Sequence, residues 1–180
     1  YEKYAQKFCE IRKKTGIQKL EAEKIMRDPN YFCTMMVAMG DADGLIGGSI
    51  STTGETVRPA LQIIPTKEKF HKVSGFFFMI LENRLLLFAD CAITIDPNSH
   101  DLAGIAIDTA ETAKRFGIEP RVALLSFSTK DSAQHPYVAK VREAVAIIKE
   151  KQPKLLIDGE LQVDAAIIPE IAQKKCPTSP

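Results

Sequence analysis

The segment RVALLSFSTKDSAQHPYVAKVREAVAIIKEKQPKLLID, Arg121–Asp158, decides the fold class of this 180-residue chain. It opens with an apolar run, Val122–Phe127, which predicts a buried strand, and a second apolar run, Leu155–Ile157, predicts another. Between them a helix is predicted for Tyr137–Lys151, because its aliphatic residues recur at helical spacing. These residues are Val138, Val141, Val145 and Ile148. A strand–helix–strand order of this kind is typical of a parallel α/β sheet.

The flanking residues extend this alternation. A helix is predicted between Asp96 and Gly117, with its inner face formed by Leu102, Ile105, Thr109, Ala113 and Phe116. Two apolar runs, Phe76–Leu81 and Arg84–Phe88, predict a β-hairpin that turns at Glu82–Asn83. Their near-continuous hydrophobicity predicts that both faces are covered. The last helix is expected to be interrupted by a proline, and the predicted fold is a three-layer α/β/α structure with a mainly parallel, mixed sheet.

The first part of the chain is predicted to be helical. Two helices are expected over Tyr1–Lys14 and Lys19–Met26, and a third begins with Asp28 as N-cap and runs through Met39. The third helix is apolar almost all round, so we expect it to be buried. A charged, irregular segment, Pro65–Lys72, is a candidate domain junction.

The segment GDADGLIGGSISTTGETVRPALQ, Gly40–Gln62, is the strongest candidate for ligand binding. Its paired glycines permit close backbone approach or positive φ angles. A cluster of hydroxyl side chains follows, namely Ser49, Ser51, Thr52 and Thr53. Together with Arg58 and a helix start, such donors suit a phosphate or carboxylate. Thr53 is the expected N-cap, and Pro59 either kinks the helix or delays its start. The alternative interpretation is an ordinary strand, turn and helix with a surface arginine.

Three loops are expected beyond the carboxyl ends of the strands, where ligands collect in folds of this class. They are Ser49–Thr53, Ser128–Ser132 and Asp158–Glu160. Lys130 either neutralises an anion there or extends into water. Asp158 is either a turn former or a catalytic acid. The residues alone therefore predict an α/β domain with an anion site.

Composition excludes several classes of function. The net charge of +1, from 24 basic and 23 acidic residues, argues against a dedicated nucleic-acid binder. No apolar run is long enough for a membrane helix. The cysteines are scattered, which is typical of a reducing cytoplasm, and the histidines lack metal-ligand spacing. We therefore expect a cytoplasmic protein without a metal site, a membrane span or a nucleic-acid partner.

Several long segments, distributed in order along the whole chain, carry a resemblance to a known family. They are DPNYFCTMMVAMGDADGLIGG, TVRPALQII, FADCAI, FGIEPRVALLSFSTKDSA and LLIDGELQVDAA. Together they resemble the phosphate acetyltransferase (phosphotransacetylase) family. The resemblance implies reversible transfer of an acetyl group between CoA and inorganic phosphate, an activity of acetate metabolism. It also implies two α/β/α domains of isocitrate/isopropylmalate dehydrogenase-like architecture, an active site in the cleft between them, and a homodimer. CoA, acetyl phosphate and phosphate are then substrates, with no further cofactor or metal.

The resemblance also assigns roles to individual residues. Arg58 matches the arginine that binds the phosphate moiety, and Arg12 best matches one linked to CoA binding. The segment Ser51–Thr53, called the hydroxyl loop below, matches the lining of the acetyl-phosphate site. Its residues are Ser51, Thr52 and Thr53. Ser128 and Lys130 match the cleft loop of the second domain. The implied mechanism is direct attack of the CoA thiolate on acetyl phosphate in a ternary complex, with a carboxylate as the base.

One departure from the family pattern affects the interpretation of activity. The family's Ser-Arg pair and the aspartate that serves as base are expected beyond Pro180. The chain is therefore interpreted as an interior fragment, with 1–68 part of the first domain and 69–180 most of the second. We expect the isolated 180-residue chain to be inactive.

Three other functions were weighed against acetyl transfer. A non-catalytic acyl-CoA-responsive module, like that fused to some malic enzymes, is less consistent with TVRPALQI and LSFSTKDS. Phosphate butyryltransferase differs in the size of its acyl pocket, which the sequence does not reveal. A hydroxy-acid dehydrogenase would need a dinucleotide or metal-carboxylate site, for which there is no motif.

Overall fold

The computed structural model describes residues 1–66, 73–82 and 84–180. It divides into two compact units, Tyr1–His71 and Lys72–Pro180, which we describe separately as unit 1 and unit 2. The predicted junction Pro65–Lys72 lies largely outside the described residues, as does Asn83 of the predicted hairpin turn. Among the described helices, none has both the length and the apolar character needed to cross a membrane.

Unit 1 is built from helices in its described part. They are α1 (Glu2–Ile11), a 3-10 turn (Lys13–Thr15), α2 (Lys19–Ile25), α3 (Pro29–Ala38) and α4 (Thr53–Ile63). Its core contains Ala5, Phe8, Ala22, Met26, Met35 and Ile63. The three predicted N-terminal helices are therefore confirmed, although the first ends earlier than predicted and gives way to the 3-10 turn.

Helix α3 begins where its sequence predicts, directly after Asp28. The Asp28 carboxylate accepts hydrogen bonds from the N–H groups of Asn30 and Tyr31 at 2.8 and 3.2 Å. This is N-capping, with a proline at the first helical position. The expectation that the whole helix is buried was too strong, because only Thr34 and Met35 are classed as buried.

Unit 2 contains two small sheets and four helices among its described residues. Its elements are β1 (Phe76–Leu81), β2 (Arg84–Ala89), α5 (Ser99–Arg115), β3 (Arg121–Leu125), α6 (Pro136–Lys151), β4 (Leu156–Leu161), α7 (Val163–Ile167) and α8 (Pro169–Lys175). Strands β1 and β2 pair as the predicted antiparallel hairpin. Strands β3 and β4 pair in parallel, as the strand–helix–strand pattern predicted.

Helices α5 and α6 follow the predicted patterns. All four predicted aliphatic residues of α6 are buried. At the start of α5, Asn98 and Asp101 form a reciprocal capping box, in which each side chain accepts the other's backbone N–H. On the predicted inner face of α5, Ile105 and Ala113 are buried, but Phe116 lies beyond the helix end and is 62% exposed.

The sheet differs from the prediction in two respects. In the described part of the chain the four strands form two separate two-stranded sheets, so the mixed α/β class holds in this coarser form. The prediction that both faces of the hairpin are covered is wrong for this chain, since Phe77 is 58% and Ile80 84% exposed. The apolar residues of β1 led to the prediction of a covered strand. Among the described residues, however, no helix packs over most of β1.

Strand β4 also extends further than predicted. Asp158–Glu160 was expected to be a loop, yet all three residues lie within β4. Gly159 makes this possible because a Cβ there would lie 2.9 Å from the Leu124 Cβ and carbonyl oxygen. The close approach of the two strands therefore places Asp158 and Glu160 inside the sheet. Strand β3, in turn, ends at Leu125, two residues before the predicted end.

Candidate functional site

The loop 128–132 and strand β4 form a polar cluster at the carboxyl end of the parallel sheet. The loop follows β3, and β4 lies beside it in parallel register. Since the carboxyl ends of parallel strands lie at the same edge of a sheet, these two segments were predicted to meet. The structure confirms this, because Asp131 and Ser128 both hydrogen-bond to Glu160.

Glu160 is the centre of this cluster, with a residue exposure of 1%. Its carboxylate receives two hydrogen bonds from Arg142, at 2.8 Å from Nε and 3.0 Å from a terminal nitrogen. The Asp131 N–H donates at 2.9 Å and the Ser128 hydroxyl at 3.2 Å. The Arg142 guanidinium and these other donors outweigh the effect of burial and hold the pKa of Glu160 at about 2. The carboxylate is therefore ionised and fully paired.

The loop itself has an unusual backbone. Lys130 and Asp131 have φ angles of 44° and 69°, in the left-handed region that residues other than glycine rarely adopt. Internal hydrogen bonds support this shape. The Ser132 hydroxyl accepts from the Thr129 N–H at 3.0 Å, and the Ser128 hydroxyl accepts from the Ala133 N–H at 3.1 Å.

Ser128 and Lys130, the two predicted substrate-binding residues of unit 2, lie in different environments. Ser128 is 0% exposed, and its hydroxyl is engaged within the cluster. The Lys130 side chain is 36% exposed, and its ammonium group pairs with Asp158. Burial of Asp158 opposes its ionisation, but the Lys130 ammonium, the Ser179 side chain and the Gly159 N–H together lower its pKa. Asp158 is thus a buried ion-pair partner rather than a turn former.

The hydroxyl loop of unit 1 leads directly into α4. Its N-cap is Thr52 and not Thr53 as predicted, since the Thr52 hydroxyl accepts from the Glu55 N–H and the Glu55 carboxylate accepts from the Thr52 N–H. This reciprocal pattern is a capping box. Ser51 is half-buried and accepts a hydrogen bond from the Asn30 amide at 3.2 Å. Gly48 has the positive φ of 106° that the glycine pair was predicted to permit.

The two arginines assigned by resemblance also lie in unit 1. Arg58 is exposed on α4, and Pro59 lies buried within the same helix without ending it. Arg12 is half-buried at the end of α1, where its carbonyl oxygen accepts from the Thr15 N–H and hydroxyl. Within the described ranges neither guanidinium forms an ion pair within 4 Å, although the charge of Arg58 acts on the nearby Glu55 carboxylate. Both guanidinium groups can donate hydrogen bonds to an anion.

The structure thus brings together Ser128, Lys130 and Asp158 in unit 2, while Arg12, Arg58 and the hydroxyl loop Ser51–Thr53 belong to unit 1. Sequence patterns do not single out Arg142, which lies on α6 beside the buried Val141. The available signal was Glu160, because a carboxylate in a buried strand requires a cationic partner. In the described residues no group of three or more His, Cys, Asp or Glu side chains is arranged to hold a metal ion.

Comparison with known proteins identifies the family of this chain. Residues 1–180 match the family described as phosphate acetyl/butaryl transferase. The phosphate acetyltransferase of Bacillus subtilis is 54% identical over 178 residues, 99% of this chain and 55% of the relative. The Synechocystis enzyme of the same name is 51% identical, again over 99% of this chain but 26% of its own length.

Solved structures give the same result. A phosphotransacetylase from Streptococcus pyogenes superposes with a TM-score of 0.88 at 51% identity, covering 98% of this chain and 54% of that one. The EutD phosphotransacetylase of Staphylococcus aureus gives 0.84 at 46% identity, covering 98% and 55%. The chain therefore spans between about a quarter and about half of the length of these relatives. The predicted resemblance is confirmed, and the chain belongs to the phosphate acetyl/butaryl transferase family.

Proposed function

We propose that the full-length protein is a phosphate acetyltransferase, which reversibly converts acetyl-CoA and inorganic phosphate into CoA and acetyl phosphate. The observation that carries this proposal is that phosphate acetyltransferases match 99% of the chain at about half identity. The exposed Arg58 and the half-buried Arg12 of unit 1 are consistent with substrates that carry phosphate groups. These relatives favour the transferase over the non-catalytic module and the dehydrogenase.

In unit 1, we assign Arg58 to the phosphate of acetyl phosphate. Its exposed guanidinium offers the charge-assisted hydrogen bonds that a phosphate prefers. Arg12 is assigned to the phosphate groups of CoA. Ser51 keeps its O–H free to donate to a ligand while its oxygen accepts from Asn30.

The two threonines of the hydroxyl loop have different proposed roles. The Thr52 O–H donates to Glu55 at 2.9 Å as part of the capping box, so Thr52 fixes the start of α4. Thr53 is exposed in the first turn and is assigned to the substrate. This assignment places a ligand oxygen near the positive end of the α4 dipole.

In unit 2, Lys130 is the residue assigned to the substrate. Its ammonium has three N–H donors, and its side chain remains partly exposed beside Asp158. Ser128 is assigned indirectly, since its buried hydroxyl connects the loop to Glu160. These roles remain proposals for the complete enzyme.

The proposed chemistry is a direct acyl transfer. The CoA thiolate attacks the carbonyl carbon of acetyl phosphate, the C–O bond to phosphate breaks, and inorganic phosphate leaves. Arg58 holds the leaving phosphate and stabilises its charge. Asp158 and Glu160 are unsuited as the base for the thiol, because their ion pairs lower their pKa values. The carboxylate base is expected beyond Pro180.

The wider organisation of the protein is also a proposal. Residues 1–68 are assigned to a first α/β domain and 69–180 to a second, each contributing to a three-layer α/β/α architecture. A homodimer in the cytoplasm, acting in acetate metabolism without a further cofactor, fits the family resemblance.

The test is thioester formation by the purified full-length protein from CoA and acetyl phosphate. Acetyl-CoA formation that is saturable in both substrates supports the proposal. A parallel assay with butyryl phosphate distinguishes acetyl from butyryl transfer within the family. Absence of thioester formation with acetyl phosphate, from protein that is folded by circular dichroism, would refute it.

A further inference from the structure

Glu160 lies where it can determine the shape of a loop without touching solvent. Its side chain is 2% exposed, and its carboxylate connects three different parts of unit 2. These are Arg142 on α6, Ser128 at the start of the loop and the Asp131 N–H near its end. A side chain this buried does not contact a substrate from solvent, so its contribution must pass through the residues it holds.

The loop needs such support because its backbone is strained. Two consecutive residues other than glycine, Lys130 and Asp131, have positive φ, a conformation that aspartate adopts more readily than lysine. Such conformations persist only when the surrounding structure enforces them, and they cluster at functional sites. The Asp131 N–H points to the Glu160 carboxylate at 2.9 Å, and the Lys130 N–H to the Glu160 carbonyl oxygen at 3.3 Å. Both left-handed residues are therefore tied to the same residue of β4.

Arg142 completes this arrangement from the other side. It pairs with Glu160 and also with the Asp131 carboxylate, at 2.6 Å. The guanidinium of Arg142 therefore connects Glu160 in strand β4 with Asp131 in the loop. The backbone of Lys130 lies next to Asp131, and its ammonium group pairs with Asp158 in β4.

We propose that Glu160 is a positioning residue, which holds loop 128–132 in its left-handed conformation through Asp131 and Ser128 and thereby orients Lys130 for the substrate. Arg142 serves the same purpose by keeping Glu160 in place. This inference rests on the proposed acetyl transfer. It extends that function by assigning a role to Glu160, whose side chain is buried, and to the partly exposed Arg142 that pairs with it.

The experiment compares Glu160→Gln, Lys130→Met and the double variant in the full-length protein. If Glu160 acts through Lys130, each single change lowers kcat/KM by about 10-fold, the scale of one misplaced charged donor. The double variant then loses no more than Lys130→Met alone, because residues that act in series are non-additive. A purely structural role predicts multiplied losses instead, and that result would overturn the proposal.

A second measurement does not depend on activity. Amide hydrogen exchange of the peptide that contains residues 128–133 should be faster in Glu160→Gln by about 10-fold, since the Asp131 N–H loses a charged acceptor. The matched control is Asp96→Asn, an acid that pairs with Lys140 on α6 and lies outside the cluster. It should change neither exchange in this peptide nor turnover. Unchanged exchange in Glu160→Gln contradicts the proposal.

Folding of the variant is the remaining concern, because Glu160→Gln leaves Arg142 without its buried partner. The variant Glu160→Gln/Arg142→Met removes both charges. Its kcat/KM with and without Lys130→Met, and its amide exchange in residues 128–133, then test the proposal in the same way. If the wild-type protein transfers no acetyl group, the proposed function fails. The exchange comparison then still decides whether Glu160 holds the loop.

Discussion

Asp90 offers the most quantitative test of how unit 2 is held together. It follows β2, and one carboxylate oxygen accepts from the N–H groups of Ala92 and Ile93 at 2.9 and 3.0 Å. The same oxygen accepts from the Gly75 N–H at 3.3 Å, just before β1. The other oxygen accepts from the Thr94 N–H at 2.8 Å. One carboxylate therefore closes the turn after the hairpin and ties it to the residue that precedes the hairpin.

The pKa of Asp90 indicates how strongly these hydrogen bonds stabilise its ionised carboxylate. Burial raises it, but the N–H groups of Ile93, Ala92 and Thr94 prevail and lower it from 3.8 to about 2. A fall of this size corresponds to about 2 kcal/mol of differential stabilisation of the ionised form. Asp90→Asn keeps one acceptor oxygen but turns an amide N–H₂ toward the Thr94 N–H. We expect a loss of about 2 kcal/mol of unfolding free energy.

The assay is thermal and denaturant unfolding of the full-length protein, with Asp96→Asn as control. Asp96 lies in the same loop region, but its side chain is 78% exposed and pairs with Lys140. Such surface pairs contribute little. For a unit of this size, a loss of about 2 kcal/mol lowers the midpoint by roughly 8–16 °C. The control should leave the midpoint nearly unchanged.

The pH dependence of the effect follows from the direction of the pKa shift. The folded pKa is about 2 and the unfolded value 3.8, so the unfolded state binds more protons in the interval between them. The stabilisation by Asp90 is fully present above about pH 4 and is lost as the pH falls toward 2. The difference between wild type and Asp90→Asn should shrink in that window. An equal difference at pH 7 and below pH 3 would show that the carboxylate charge is irrelevant.

Further predictions concern the substrates. Arg58→Gln in the full-length protein should reduce turnover of acetyl phosphate by about 100-fold, the scale of one lost oriented donor, with little change in melting temperature; unaltered steady-state kinetics would remove Arg58 from the site. Arg12→Gln should raise KM for CoA and spare KM for acetyl phosphate, because uniform binding is lost; equal changes in both constants would count against a specific CoA contact. The isolated polypeptide Tyr1–Pro180 should form acetyl-CoA at least about 100-fold more slowly than the full-length protein, since loss of a general base alone costs that much. If the fragment instead showed more than roughly a few per cent of the full-length turnover, the base would lie within these residues.

Sequence patterns predicted the features that depend on local chemistry. Asp28 before a proline marked the start of α3, and the apolar spacing of α6 identified its buried face. The meeting of loop 128–132 with the residues around Asp158 followed from parallel strand order alone. The N-cap of α4 was misplaced by one residue although the signal was present, because Thr52 and Glu55 have the spacing of a capping box.

The features that were missed depend on contacts distant in sequence. Asp-Gly-Glu was interpreted as a turn because aspartate and glycine favour turns. It lies in β4 because Lys130 and Arg142, from two other segments, neutralise Asp158 and Glu160. The hairpin strands were expected to be covered because of their composition. The apolar composition of a strand indicates that it favours an apolar environment. It does not reveal which other element, if any, packs against the strand, because that depends on the tertiary structure.

The distribution of charge suggests how the proposed substrate contacts are divided. The polar cluster of unit 2 holds two cations, Lys130 and Arg142, against three carboxylates, so its formal charge is −1. A cluster of this sign does not attract a phosphate from solution, and Lys130 contributes an oriented hydrogen bond rather than net attraction. Arg12 and Arg58, in contrast, form no ion pair within 4 Å in the described ranges. Attraction of the anionic substrates is therefore assigned to unit 1, which is why loss of Arg58 is expected to reduce turnover more than loss of Lys130.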